Sequence, residues 1–222
     1  MESANRVRVW DLPTRLFHWA LVVLVAGAWL SYTFGDVTMR WHKWNGYALL
    51  VLLLFRLLWG FVGSSTARFT DFLRGPGAVW TYLQAGGRVR SLGLNPAGGW
   101  SVLIMLASIA VQAVAGLFSS DEIIVSGPLN FLVSSASADV LSSIHRQGYY
   151  ALLGLAALHL GALFFYRFVR GENLIPPMIT GYKRRSEVPP GAEARWRPLW
   201  LALLVLVISA AAVWLLINIW RW

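Results

Sequence analysis

Four histidines are the only imidazoles in the chain: His18, His42, His145 and His159. Two of them lie in one apolar stretch, HRQGYYALLGLAALHLGALFFYRFVR, which opens at His145. They are fourteen residues apart. On a helix that interval is about four turns and roughly 21 Å of rise, with both side chains on nearly one face. About 20 residues cross the roughly 30 Å hydrocarbon layer of a bilayer. The two imidazoles are therefore expected near opposite sides of one membrane, facing the same way. Polar, titratable side chains at that depth cost free energy unless something satisfies them, so they are functional candidates. Their partner must explain both and be nearly as thick as the membrane. Two haems, one above the other, meet that requirement. Each iron takes two axial ligands, and a neutral imidazole is a common one. One further histidine is then needed near each face.

The elements that must position them follow from composition. Of 222 residues, 57% are hydrophobic and 13% charged. Long apolar runs recur, which indicates an integral membrane protein. The formal charge of +9 would suggest nucleic acid in a soluble chain, but here the basic residues flank apolar spans, so no nucleic-acid partner is expected. With no cysteine, disulfides, thiolate ligands, cysteine-bound iron–sulfur clusters and covalent c-type haem attachment are excluded. The polar start MESANRVRVWDLPTR lacks a cleavable signal pattern, so the first span is expected to serve as the insertion signal.

Five spans are expected, at about residues 16–34, 42–62, 98–118, 145–168 and 198–219. Pro13 precedes the first, and Asn95-Pro96 with Gly98-Gly99 precedes the third. Tryptophans gather at span ends as an interfacial belt, including Trp10, Trp19, Trp41, Trp44, Trp220 and Trp222. The loops 63–97 and 171–196 are long, and an amphipathic surface helix is expected around 78–85. The fold class is an all-α membrane helix bundle: a four-helix di-haem core plus a fifth C-terminal transmembrane helix. The corresponding division is a four-helix domain over 1–182, then a basic cytoplasmic linker and the fifth helix over 183–222.

Lysines and arginines number fourteen on the side of the N-terminal tail and four on the other, Arg221 among the four. The N-terminus is therefore expected in the cytoplasm and the C-terminus outside. Depth then pairs the histidines. His42 and His145 fall near the outer face, His18 and His159 near the inner. All four are used, and the spans facing each other supply them, as in helix-bundle cofactor sites. A lone histidine at a span end is otherwise an interfacial residue bonded to water. A zinc site lacks the carboxylate or cysteine it would want. A proton relay lacks buried carboxylates, since the proposed spans contain none.

Arg56 stands fourteen residues after His42, on the same helix face and toward the inner haem. A buried guanidinium needs an anion, and a haem propionate would serve; the alternative is snorkelling to the interface. Gly46, Gly60, Gly116 and Gly154 could let a flat macrocycle approach the backbone. Met105 and Met178 could bind iron in principle but are expected to pack.

The stretches VRVWDLPTRLFHW (7–19), WHKWNGYALLVLLLFRLLWGFVG (41–63) and IHRQGYYALLGLAALHLGALFFYRFVRGENLIPPMITG (144–181) resemble the bacterial cytochrome b561 family, a superfamily that includes the cytochrome b subunit of nickel–iron hydrogenases. The resemblance covers about residues 6–182. It implies two haem b groups ligated by His18, His42, His145 and His159 in the bacterial inner membrane. It also implies electron transfer with ubiquinone or menaquinone, that is, a quinone-linked oxidoreductase. One departure is Gly93-Leu94-Asn95-Pro96, where relatives often carry Gly-His-Asn-Pro. The redox partner is expected to be periplasmic, a c-type cytochrome or a dehydrogenase subunit, and a homodimer is open. Quinone contacts could come from Arg40, Trp44, Asn45, Arg146 or Tyr149 on the outer side and from Arg15, Arg56 or Arg167 on the inner. Two other functions stay open: a cytochrome b anchor subunit of a larger dehydrogenase or hydrogenase, and a histidine-based proton or metal transporter.

Overall fold

The computed structural model describes residues 5–35 and 37–219. Trp220, Arg221 and Trp222, placed above at the end of the fifth span, lie outside the described residues. Among the described residues, five helices are long and apolar enough to cross a membrane: α1 (Leu12–Phe34), α2 (Arg40–Val62), α5 (Pro96–Phe118), α6 (Ser135–Phe168) and α8 (Leu199–Asn218). The short helices α3 (Phe69–Phe72), α4 (Pro76–Gln84) and α7 (Ile175–Thr180) lie in the two long loops. Strands β1 (Arg6–Arg8) and β2 (Tyr182–Arg184) pair antiparallel.

Three of the long helices, α1, α5 and α6, start at capping side chains. The Asp11 Oδ1 accepts from the Thr14 N–H at 2.8 Å, so α1 begins at Leu12, four residues before the apolar run suggests. The Asn95 Oδ1 does the same for the Gly98 N–H at 2.7 Å, with Pro96 as the first residue of α5. The largest difference is in α6. The sequence expectation starts it at His145, whereas it starts ten residues earlier, at Ser135. Here the Ser134 Oγ accepts from the Ser137 N–H at 3.3 Å. The serine-rich turn that follows is polar, so hydropathy passes over it. Ser142, inside that turn, is buried, and its Oγ donates to the Ser120 carbonyl and accepts from the Ser120 N–H. The expected surface helix at 78–85 is α4, entered through Pro76.

The chain divides into two compact units, and each of the five long helices gives residues to both. The first takes in the chain through Leu16 with Arg56–Ile104 and Ala157–Leu203. It contains the β1–β2 ribbon, which the sequence reading did not foresee. The Val9 and Trp10 N–H groups both donate to the Gly181 carbonyl, at 2.8 and 3.2 Å. Gly181 closes α7 at φ 92, a conformation that costs glycine little. Val9, Trp10 and Val188 form a buried cluster against which Leu94 and Met178 pack. Leu94 is thus a packing residue. Its neighbour Asn95 also donates from Nδ2 to the Tyr166 hydroxyl at 2.9 Å, and that hydroxyl is bonded to Tyr82.

The second unit takes in Phe17–Phe55, Met105–Ala156 and the chain from Leu204 onward. Its apolar cluster joins Leu50 of α2, Leu117 of α5 and Leu129 of the following loop to Val213 and Ile217 of α8. The fifth long helix therefore packs on the others here. In the loop after α5, the Asp121 Oδ1 accepts from the N–H groups of Ile123, Ile124 and Val125 at 3.0, 2.9 and 2.8 Å.

Candidate functional site

The second unit brings His42 and His145 together. His42 sits in the first turn of α2 and His145 within α6. Their ring centroids are 5.9 Å apart, with planes 82° to each other. The His42 Nδ1 is 2.9 Å from the Ala28 carbonyl oxygen, and the His145 Nδ1 is 2.8 Å from that of Gln112. A carbonyl can only accept, so both Nδ1 atoms carry the proton and donate it. Each Nε2 is then left with its lone pair. Backbone carbonyls are among the usual outer partners that orient metal-binding imidazoles.

Two features hold His145 in place, and sequence reasoning missed the first of them. Gln112, on α5, donates from Nε2 to the His145 carbonyl at 2.6 Å, so α5 and α6 are tied by a reciprocal pair of hydrogen bonds. The available signal was one amide inside the apolar run WSVLIMLASIAVQAVAGLF. Gly116, one turn further along α5, makes room for the imidazole: a Cβ there would stand 2.9 Å from the His145 Cε1.

The other glycines separate by what surrounds them. A Cβ at Gly60 would fall 2.0 Å from the Phe69 ring, so Gly60 seats a loop aromatic and leaves no room for a macrocycle. A Cβ at Gly46 or Gly154 would meet nothing within 4 Å. Gly46 is one turn beyond His42, so open space lies beside that histidine's helix.

The remaining predicted residues are placed as follows. His18, on α1, belongs to the second unit and meets the Trp19 ring edge-on at 5.0 Å. His159 is half-buried on α6 in the first unit. The helix that carries it runs unbroken from His145.

Arg56 is in the first unit and only 4% exposed, so it is not snorkelled to the surface. Its guanidinium carbon lies 4.8 Å from the Phe69 ring centroid and 5.7 Å from that of Phe72, in cation–π reach. Its Nη1 is buried without a hydrogen-bond partner among the described residues. The carboxylate of Asp11, 2% exposed, acts on it electrostatically. Asp11 also accepts from the Trp59 Nε1 at 3.1 Å. Sequence reasoning overlooked Asp11 because it lies just outside the apolar span.

Among the candidate quinone contacts, Arg15 donates to the Ile179 carbonyl, and the Asn45 Nδ2 donates within its own helix to the Trp41 carbonyl at 3.0 Å.

A model of the prokaryotic cytochrome b561 family matches residues 9–181. The chain belongs to the prokaryotic cytochrome b561 family. It is a multi-pass membrane b-type cytochrome that carries electrons, and its cofactor is haem b. No curated protein matches the chain.

The residues present fit that cofactor. Two metal–imidazole bonds of about 2 Å each set the ring centres about 6 Å apart, close to the 5.9 Å between His42 and His145. Both rings are already in the tautomer that presents Nε2. In the second unit the open space at Gly46 would suit a flat group, and in the first unit, separately, the orphan guanidinium nitrogen of Arg56 would suit a propionate.

Proposed function

We propose that this cytochrome passes electrons across the bacterial inner membrane between quinone in the bilayer and a periplasmic redox partner, through two haem b groups. His42 and His145 would hold one, His18 and His159 the other. Arg56 would meet a propionate of the second. The observation that carries the reading is the His42–His145 pair, with both Nδ1–H groups committed to backbone carbonyls and the two rings at haem-ligand spacing. The second pair rests on the depth argument from sequence and on the family resemblance.

Bound haem b supplies a one-electron iron couple whose potential the protein tunes through ligand basicity and burial. The chain's own part is positioning. The Ala28 and Gln112 carbonyls fix each imidazole and raise its basicity as a ligand. Gln112 ties the His145 backbone to α5, so the ligand cannot drift with α6 alone. The apolar cluster of Leu50, Leu117, Leu129, Val213 and Ile217 lends the same unit a fixed, water-poor packing. On this reading residues 1–182 form the haem domain, and the fifth helix, beyond the basic linker, buttresses it. The excess of lysine and arginine on one side supports a cytoplasmic N-terminus and a periplasmic C-terminus.

The test is haem b per purified chain by pyridine haemochrome, in the parent and in His42→Ala and His159→Ala. Two haems in the parent and one in each variant are expected, followed by reduction of the parent by a quinol analogue. A folded, haem-supplied parent without haem would overturn the reading.

A further inference from the structure

The β1–β2 ribbon places like charges opposite each other. Arg6 pairs in register with Arg184, flanked by Val7 with Lys183. Both arginines line a cleft of roughly 440 Å³ in the first unit, together with Arg167 and Lys183. Among the described residues the one carboxylate in its wall, that of Glu187, accepts from the Arg184 backbone N–H at 3.2 Å. Lys183 is 7% exposed and already bridged to Glu172 at 3.3 Å. Arg167 and Arg184 make no ion pair among the described residues. Arg167 and Arg184 therefore set two guanidinium groups in the cleft wall against the single carboxylate of Glu187 among the described residues.

Its place narrows the ligand. Arg167 is in the last turn of α6, a membrane-crossing helix, and β1 leads into α1, another. The cleft thus opens beside the ends of two spans, at the level where phospholipid headgroups lie. Pro176 and Pro177 of α7 line it, and the flanking Ile175 and Ile179 are exposed, one helical turn apart.

We propose that this cleft binds a single phosphate group between Arg184 and Arg167, with Arg6 opposite. Arginine forks match phosphate oxygens in paired hydrogen bonds. The exposed Ile175 and Ile179 beside the cleft suit an acyl chain, so the favoured source is an anionic phospholipid and the other is free phosphate. This proposal is independent of the number of haems.

The experiment uses the full-length, haem-loaded protein, delipidated in neutral detergent. Its thermal midpoint is followed while phosphatidylglycerol, phosphatidylcholine or inorganic phosphate is added, in the parent and in Arg167→Gln, Arg184→Gln and Arg90→Gln. Arg90 does not line the cleft. A saturable rise with phosphatidylglycerol but not phosphatidylcholine is expected, with apparent affinity lowered about tenfold in Arg184→Gln and Arg167→Gln and unchanged in Arg90→Gln. A saturable rise with inorganic phosphate, lost in the same two variants, would assign the site to free phosphate. If phosphatidylglycerol and phosphatidylcholine act alike and phosphate does nothing, the proposal is overturned. Cleft variants that respond like the parent overturn it too. Arg184 is exposed on a short strand, so its variant decides the matter should Arg167→Gln fold poorly.

Discussion

Gly116→Ala is the sharpest probe of the His42–His145 site. The added methyl would stand 2.9 Å from the His145 Cε1 and 3.1 Å from its Nδ1. Carbon atoms pack best at about 3.5–4.0 Å, so the imidazole must withdraw by more than about half an ångström. Its Nδ1–H is held to the Gln112 carbonyl at 2.8 Å, on the same helix as Gly116, so retreat from one stretches the other. A retreat of that size takes the bond to or past the edge of the normal range. Overpacking of this kind costs about 1–3 kcal/mol. The hydrogen bond makes the ligand more basic, which favours ferric iron over ferrous, so its loss should raise the potential. A differential of about 1 kcal/mol between the two states is about 40 mV for one electron. The assay is a spectroelectrochemical titration of the purified variant beside its haem count. One haem should keep its potential while the other rises by that order or is lost. Two haems with both potentials and the low-temperature spectrum unchanged would refute His145 as a ligand seated against Gly116.

Gly46→Leu should leave the thermal stability of the haem-free chain nearly unchanged, because a Cβ added there enters open space, with nothing from outside its own helix backbone within 4 Å. It should also lower haem content, because the open space is what a macrocycle would fill; equal haem content in variant and parent would count against that use of the space. Asp11→Ala removes the cap of α1 and the acceptor of the Trp59 indole N–H, together worth about 2–4 kcal/mol, and should appear as a clearly lowered melting temperature. Asp121 is held below its ordinary pKa by the backbone N–H groups of Val125, Ile123 and Ile124. A depressed acid contributes its stability above the unfolded value, near 4, and loses it as pH falls through the folded one. Amide protection at residues 123–125, corrected for intrinsic exchange, should therefore hold at neutral pH and fall only below the ordinary carboxylate range. Asp121→Ala should abolish it at every pH.

What the sequence disclosed and what it hid divide along physical lines. Apolar runs of span length locate α1, α2, α5 and α8 to within a few residues, because burial in lipid demands hydrophobicity along the whole element. The same criterion fails for residues 135–144, where α6 continues out of its apolar run on serines. A cap, Ser134, starts that helix, and hydropathy does not register caps. The β1–β2 ribbon was hidden for another reason: three-residue strands joined across the whole chain leave no periodicity to detect. At the site, residue type and spacing singled out His42 and His145, but not the carbonyls of Ala28 and Gln112 that fix their tautomers. Main-chain acceptors have no sequence signature. Arg56 shows how far such reasoning reaches. A buried guanidinium implies an anion, and the inference to a propionate followed from looking only inside the spans. Asp11 stands one residue outside α1 and is buried with Trp59, so part of the required negative charge comes from the chain itself. Its two hydrogen-bond acceptor atoms are directed at the Thr14 N–H and the Trp59 indole, while the Arg56 Nη1 has no acceptor among the described residues. Asp11 therefore offsets the charge of Arg56 without filling its hydrogen-bonding capacity, and that remaining capacity is what a propionate would use.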